Sequence, residues 1–226
     1  NGLIWYHRVK TICSTTYAAD TYDKVSHMDR YEIVRRVFKV NDNIATTGEM
    51  LKEGIHTSYI AELVNTQRIA RIKRGVYEWI EDGRKDDIEV IFRLLPDAIL
   101  CMDSALYHYQ YTDRTPDMWH IAVDKRINKR KVKLNYPPVK VHFIEPSCLE
   151  IGVTHSEING VKIRVYDRER TICDVIRHSA KLDRETVGKA IQAYVTDRRK
   201  NIAKLMEYAR RFRIQKKIQD LIGVWL

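Results

Sequence analysis

The sequence predicts an α+β protein, and three observations carry that prediction. Apolar residues recur at helical spacing over 29–38 and 58–67, then alternate with basic residues over 68–80. Asn159-Gly160 stands inside a strand-like stretch at 149–166, and Asn-Gly between such runs is the strongest short hairpin signal. From Arg168 onward the pattern is helical, over 168–179, 183–196 and 200–222. With 226 residues, 44% hydrophobic and 31% charged, the chain can bury one large core or two small ones. It has no run of 18 apolar residues, so neither a spanning helix nor a membrane partner is expected. The first residues do not read as a secretory signal. The four cysteines form no C-x-x-C pair and read as reduced thiols of a cytoplasmic protein.

Three segments are expected. Residues 1–27 lack an amphipathic period and read as a leader or an extension added by cloning, poorly packed, with Met28 as the natural start. Residues 28–83 read as three helices and a hairpin. Asp29 caps a helix with Ile33, Val34, Val37 and Phe38 on one stripe, and Asn41-Asp42-Asn43 breaks it. Thr46 or Thr47 caps a second helix, with Glu49 or Met50 in its first turn, and Gly54 stops it. Thr57 caps a third helix at about 58–67. Ile60, Leu63 and Val64 face its core side, and Ser58, Tyr59, Glu62, Asn65 and Thr66 face outward. The segment 68–80, around Gly75, reads as a two-stranded hairpin. Two helices across a short Gly-containing turn, followed by a basic hairpin, are the layout of a winged helix-turn-helix.

Residues 84–226 are expected to form a C-terminal domain of a small antiparallel sheet and helices. After a linker at 81–87 comes a helix at 88–95 that ends at Pro96. An apolar stretch follows at 98–111, with Asp103 or Ser104 as an internal cap. Strands at 119–123 and 139–144 flank a basic loop that ends in Pro137-Pro138.

A net charge of +10 favours nucleic acid as a partner, but its placement matters more than its sum. Residues 28–83 hold nine basic and nine acidic side chains and are neutral. The excess sits at 125–133, with six basic residues and no acid, and at 189–217, with ten basic and two acidic. A double-stranded DNA interface therefore has to be local. Tyr59, Glu62 and Asn65 are placed to reach base edges, and Thr57 and Ser58 to reach phosphates. Arg68, Arg71, Lys73 and Arg74 on the hairpin are placed for phosphate or minor-groove contact, with Gly75 supplying positive φ. On the last helix, Arg210, Arg211 and Arg213 add cations beside an apolar face. The alternatives are a small helical core with a solvated hairpin, a winged helix that binds protein, and a merely solvated C-terminal basic face.

Phosphate-loop, dinucleotide, zinc-protease and nucleophile-elbow motifs are absent, and the eight histidines lack ligand spacing. The chain is accordingly expected not to be an enzyme and to need no cofactor or metal. One enzymatic alternative is a nuclease-like site built from Asp103, Asp113, Asp117, Asp124 and Glu145, with Lys140 nearby. Arg170, Thr171 and Asp174 have a simpler reading, in which Thr171 caps a helix and Arg170 pairs with Asp174 one turn on.

Several motifs together resemble a family. Thr57-Ser58-Tyr59-Ile60-Ala61-Glu62-Leu63, followed by Arg71-Ile72-Lys73-Arg74-Gly75-Val76-Tyr77, is similar to the N-terminal domain of AbiEi-type antitoxins. Ser104-Ala105-Leu106 with His108, and the run from Asp167-Arg168-Glu169-Arg170-Thr171 to Asp174, resemble two later segments of the same family. The resemblance covers about 28–222. It implies a transcriptional autorepressor that binds inverted repeats in its own promoter. It also implies a C-terminal antitoxin domain of a type IV toxin–antitoxin system, as found in abortive-infection phage-defence loci. The toxin would be nucleotidyltransferase-like, countered without a stable complex.

Overall fold

The computed structural model describes residues 30–223. The expectations for 1–27, and for Asp29 as a cap, lie outside the described residues. The fold is mixed α and β and forms two compact units divided between Arg84 and Lys85.

In the first unit, helix α1 covers 30–40 and buries Val34, Val37 and Phe38. Asp42 and Asn43 take positive φ, which short polar side chains tolerate best, and they end α1 as read. They deliver the chain into strand β1 (Ile44–Thr46), which the sequence reading does not contain. Three residues are too few to show a period, and the strand exists because β3 (Val76–Trp79) pairs with it. Helix α2 (Thr47–Lys52) opens on a capping box. Thr46 Oγ1 accepts the Glu49 N–H at 3.2 Å, and the Thr46 N–H donates to Glu49 Oε2 at 2.6 Å. Helix α3 (Thr57–Asn65) follows, then β2 (Ile69–Lys73), antiparallel to β3. The sheet order is β1-β3-β2. Trp79, Phe38, Met50, Ile60 and Leu63 share one core, with Trp79 and Phe38 ring centres 5.7 Å apart.

The second unit contains a five-stranded sheet of order β6-β5-β4-β8-β7. Its strands are β4 (Ile99–Leu100), β5 (Trp119–Asp124), β6 (Val139–Ile144), β7 (Val153–Ile158) and β8 (Val161–Tyr166). The expected small antiparallel sheet is corrected to a mixed one, because β5–β6 and β4–β8 are parallel. The basic loop at 125–138 carries the chain back to the starting end of β5, and a returning connection makes neighbours parallel. Only β7–β8 closes through a tight turn, at Asn159-Gly160, and both turn residues have positive φ.

Helix α4 (Asp87–Leu94) covers one sheet face through Ile88, Ile91 and Phe92. The other face carries Ala122 and Tyr166 beside Met102 of α5 (Met102–His108) and Leu149 of α6 (Pro146–Leu149). The expected cap at Asp103 or Ser104 is corrected to Cys101, whose backbone leaves β4 extended. Ser104 instead turns inward and accepts the His120 backbone N–H at 2.8 Å.

A helical core gathers α7 (Arg168–Arg177), α8 (Arg184–Thr196), α9 (Ile202–Arg211) and α10 (Gln215–Ile222). The single helix expected over 200–222 is two. Arg213 has φ +56°, its N–H donates to the Arg210 carbonyl, and the Ile214 N–H donates to that of Ala209. This is a Schellman stop, made worthwhile by the burial of Ile214.

Candidate nucleic-acid interface

α3 is positioned by its apolar side. Ile60 and Leu63 are buried, and Gly54, at φ +77°, turns the chain so that buried Ile55 precedes the helix. The N-cap is His56, not Thr57. His56 is extended and its carbonyl accepts from the Tyr59 and Ile60 N–H groups, which leaves Thr57 as the first helical residue. Thr57, Ser58, Glu62 and Asn65 are exposed, as the sequence reading places them. The first turn holds no acid, so the positive end of the helix is not neutralised there.

Tyr59 does not join this face. It is 6% exposed and packs in the core, and burial pushes its hydroxyl pKa up. A signal for this existed, because Tyr59 stands four residues before Leu63 and helical spacing stacks the two. The exposed surface of α3 is therefore narrower than expected, with polar groups at 57, 58, 62 and 65.

α3 ends on Gln67, which has φ +56°. The Gln67 N–H donates to the Val64 carbonyl and the Arg68 N–H to that of Leu63, a second Schellman stop. The hairpin that follows turns over Arg74-Gly75, with Gly75 at φ +74° as its expected role requires. The Gly75 carbonyl accepts the Thr47 N–H at 2.9 Å, which ties the turn to the start of α2.

The four hairpin cations are not equivalent. Arg71 and Arg74 are exposed, and no acid among the described residues engages them. Lys73 is half-buried, and burial lowers its ammonium pKa. Arg68 lies at the foot of the hairpin, ion-paired with Glu81 and within reach of the Tyr31 hydroxyl. It is already balanced and serves the packing of the unit, because sequence distance hides a partner 13 residues away. Arg71 and Arg74 are thus the uncompensated charge beside α3.

In the second unit, Arg210, Arg211 and Arg213 are exposed, but they do not share one helical face. Arg210 and Arg211 end α9, Arg211 pairs with Glu207 at 3.2 Å, and Arg213 occupies the left-handed turn. The carboxylates of the nuclease-like alternative are dispersed. Asp124 binds Arg126, Glu145 binds Lys125, Asp113 binds Lys189 and Asp117 binds Arg114. Asp103 lies 3.7 Å from His120 Nε2. Among the described residues no group of three His, Cys, Asp or Glu is placed to hold a metal ion.

Arg170 and Asp174 pair as read, at 2.9 Å, both buried. Two further donations, each at 2.9 Å, go from Arg170 Nη1 to the carbonyls of Cys148 and Ile151. Its guanidinium lies between the rings of Tyr166 and Phe212, 4.3 and 4.2 Å from their centres. Thr171 is not the cap of α7. Asp167 is, and the Thr171 hydroxyl donates to the Tyr166 carbonyl. The run from Asp167 to Asp174 is thus largely a buried structural hub. No helix among the described residues is long and apolar enough to cross a membrane.

No protein-family model matches the chain, and no curated protein matches it. Among solved structures, the RV2827C protein from Mycobacterium tuberculosis is similar at 14% identity and a TM-score of 0.45. That match covers 80% of this chain and 75% of the other. A likeness so distant carries no weight for fold or function.

Proposed function

We propose that the chain binds double-stranded DNA through residues 30–84, acting as a winged helix-turn-helix. The reading rests on one observation: the exposed polar face of α3 stands in the same unit as a tight hairpin bearing two unbalanced arginines, Arg71 and Arg74. In it, α3 enters the major groove, with Asn65 and Glu62 at base edges and Thr57 and Ser58 at phosphates. Arg71 and Arg74 grip the backbone beside it, and the exposed cations Arg210, Arg211 and Arg213 add sequence-independent phosphate contacts.

More narrowly, the protein is an autorepressor and antitoxin of a type IV toxin–antitoxin system, countering a nucleotidyltransferase-like toxin. The order of motifs that resembles AbiEi-type antitoxins supports this narrower reading.

The test is a mobility-shift titration on the DNA upstream of the chain's own gene, repeated at several salt concentrations. Arg71→Ala with Arg74→Ala removes two phosphate contacts and should reduce the log–log salt slope by about 1.8. Asn65→Ala should weaken the operator, but not random DNA, by about 1–3 kcal/mol. Tyr59→Phe should leave binding unchanged. If the double arginine variant binds with the parent's affinity and slope, the interface is wrong.

A further inference from the structure

The second unit holds a polar cavity of about 390 Å³ that the DNA reading does not use. Four separate parts of the chain build it. His108 comes from the end of α5, Thr154, His155 and Ser156 come from β7, and Arg168 and Arg199 flank them. β7 is an edge of the sheet, so the cavity opens beside backbone that no further strand covers among the described residues.

One carboxylate fixes both arginines. Asp197 Oδ2 accepts from Arg168 Nε at 3.0 Å, and its Oδ1 accepts from Arg199 Nε at 3.2 Å. The Tyr111 hydroxyl donates to Asp197 Oδ2 at 2.8 Å and holds the carboxylate in turn. Burial works against its charge, yet the Arg199 backbone N–H, the Tyr111 hydroxyl and the Arg199 guanidinium hold its pKa well below the carboxylate range. Arg168 is further immobilised over the Tyr109 ring, 4.6 Å from its centre. Arg168, tethered through Nε, keeps both terminal nitrogens as a donor fork, whereas Arg199 also donates from Nη2 to Asp197 Oδ2 at 3.5 Å and keeps Nη1. Two guanidiniums against one carboxylate leave the site positive, and no acid is among the described residues lining it. Thr154 and Ser156 add hydroxyl donors.

Two guanidiniums fit carboxylate and phosphate alike, but with the two hydroxyls they offer more donors than the two oxygens of a carboxylate take up, which favours the three terminal oxygens of a phosphate monoester. The volume lies within the roughly 300–1,000 Å³ typical of small-ligand sites and exceeds what bare phosphate needs. We propose that this cavity binds the phosphate monoester of a small metabolite, the size of a nucleoside monophosphate or sugar phosphate. The proposal does not rest on the DNA reading.

Isothermal titration of the full chain tests it, with AMP, glucose 6-phosphate, inorganic phosphate and adenosine as probes at matched ionic strength. Saturable binding of AMP or glucose 6-phosphate is expected, with at least tenfold loss in Arg199→Gln and in Arg168→Gln. Arg199 is 69% exposed, so its variant should fold, and a circular dichroism melt checks this. Which ester binds more tightly identifies the ligand class. Three results would overturn the proposal: no saturable binding of either ester, adenosine binding as well as AMP, or undiminished affinity in folded Arg199→Gln. Loss of duplex DNA affinity in Arg199→Gln without any ester binding would also overturn it and assign the cavity to nucleic acid. Operator binding in both variants, measured in parallel, should stay at the parent's level.

Discussion

Replacing Arg170 with Met keeps most of the aliphatic volume and removes the charge. Asp174 then stays buried without its partner, and breaking a buried pair from one side costs about 3–5 kcal/mol. The carbonyls of Cys148 and Ile151 lose their shared donor, and each acceptor left without one costs about 1 kcal/mol or more. The stacking on Tyr166 and Phe212 becomes ordinary apolar contact. A loss of about 5 kcal/mol is expected, comparable with the whole stability of a small domain. Urea unfolding followed by far-UV circular dichroism measures it.

Asp174 sharpens the test. Burial already raises its pKa against the pull of Arg170, so Arg170→Met raises it further. A carboxyl with a raised folded pKa contributes stability below its unfolded pKa and loses it as pH climbs through the folded one. The Met variant's deficit should therefore be largest at neutral pH and shrink on acidification. Asp174→Leu in the same chain should recover about 2–3 kcal/mol of coupling. Strict additivity, or an Arg170→Met deficit under about 1 kcal/mol, would refute the structural role of the pair.

Two further outcomes follow from local geometry. Gln67 holds a left-handed conformation that costs a side-chain-bearing residue about 1–2 kcal/mol, so Gln67→Gly should stabilise the first unit by about 0.5–1 kcal/mol and raise its melting temperature by several degrees. A lowered melting point would contradict the strain assigned to Gln67. His120 and His142, with ring centres 5.2 Å apart, are pushed down to about 4, chiefly by burial and also by Lys140. A depressed folded pKa means stability is present above about 6.5 and is lost as pH falls toward 4, on the order of 3 kcal/mol for His120 alone. Urea midpoints at pH 7 and pH 4.5 should differ accordingly, and the gap should narrow in His120→Gln without closing, because burial still depresses His142; a pH-independent midpoint in the parent would contradict the burial assigned to the pair.

Short-range chemistry was legible in the chain. Thr46 and Glu49 three apart, Asn159 beside Gly160, and Arg170 four before Asp174 each form the local structure that their spacing implies. These interactions close within one turn, so neighbouring residues determine them. The exposed positions of α3 at 57, 58, 62 and 65 were legible for the same reason.

What spacing does not encode was decided by packing. β1 forms only because β3 offers it a partner, and β5 and β6 run parallel only because a long basic loop returns between them. Tyr59 faces inward because the core takes its ring. The last helix breaks at Arg213 because burying Ile214 outweighs one strained residue. Arg68 is balanced by Glu81, and Asp197 collects Arg168, Arg199 and Tyr111 from distant parts of the chain. By itself the sequence determined an α+β chain and where its caps, turns and cations lie. The tertiary structure decided which of those cations remain unpaired, because the free charge at a site depends on partners that only the fold brings within reach.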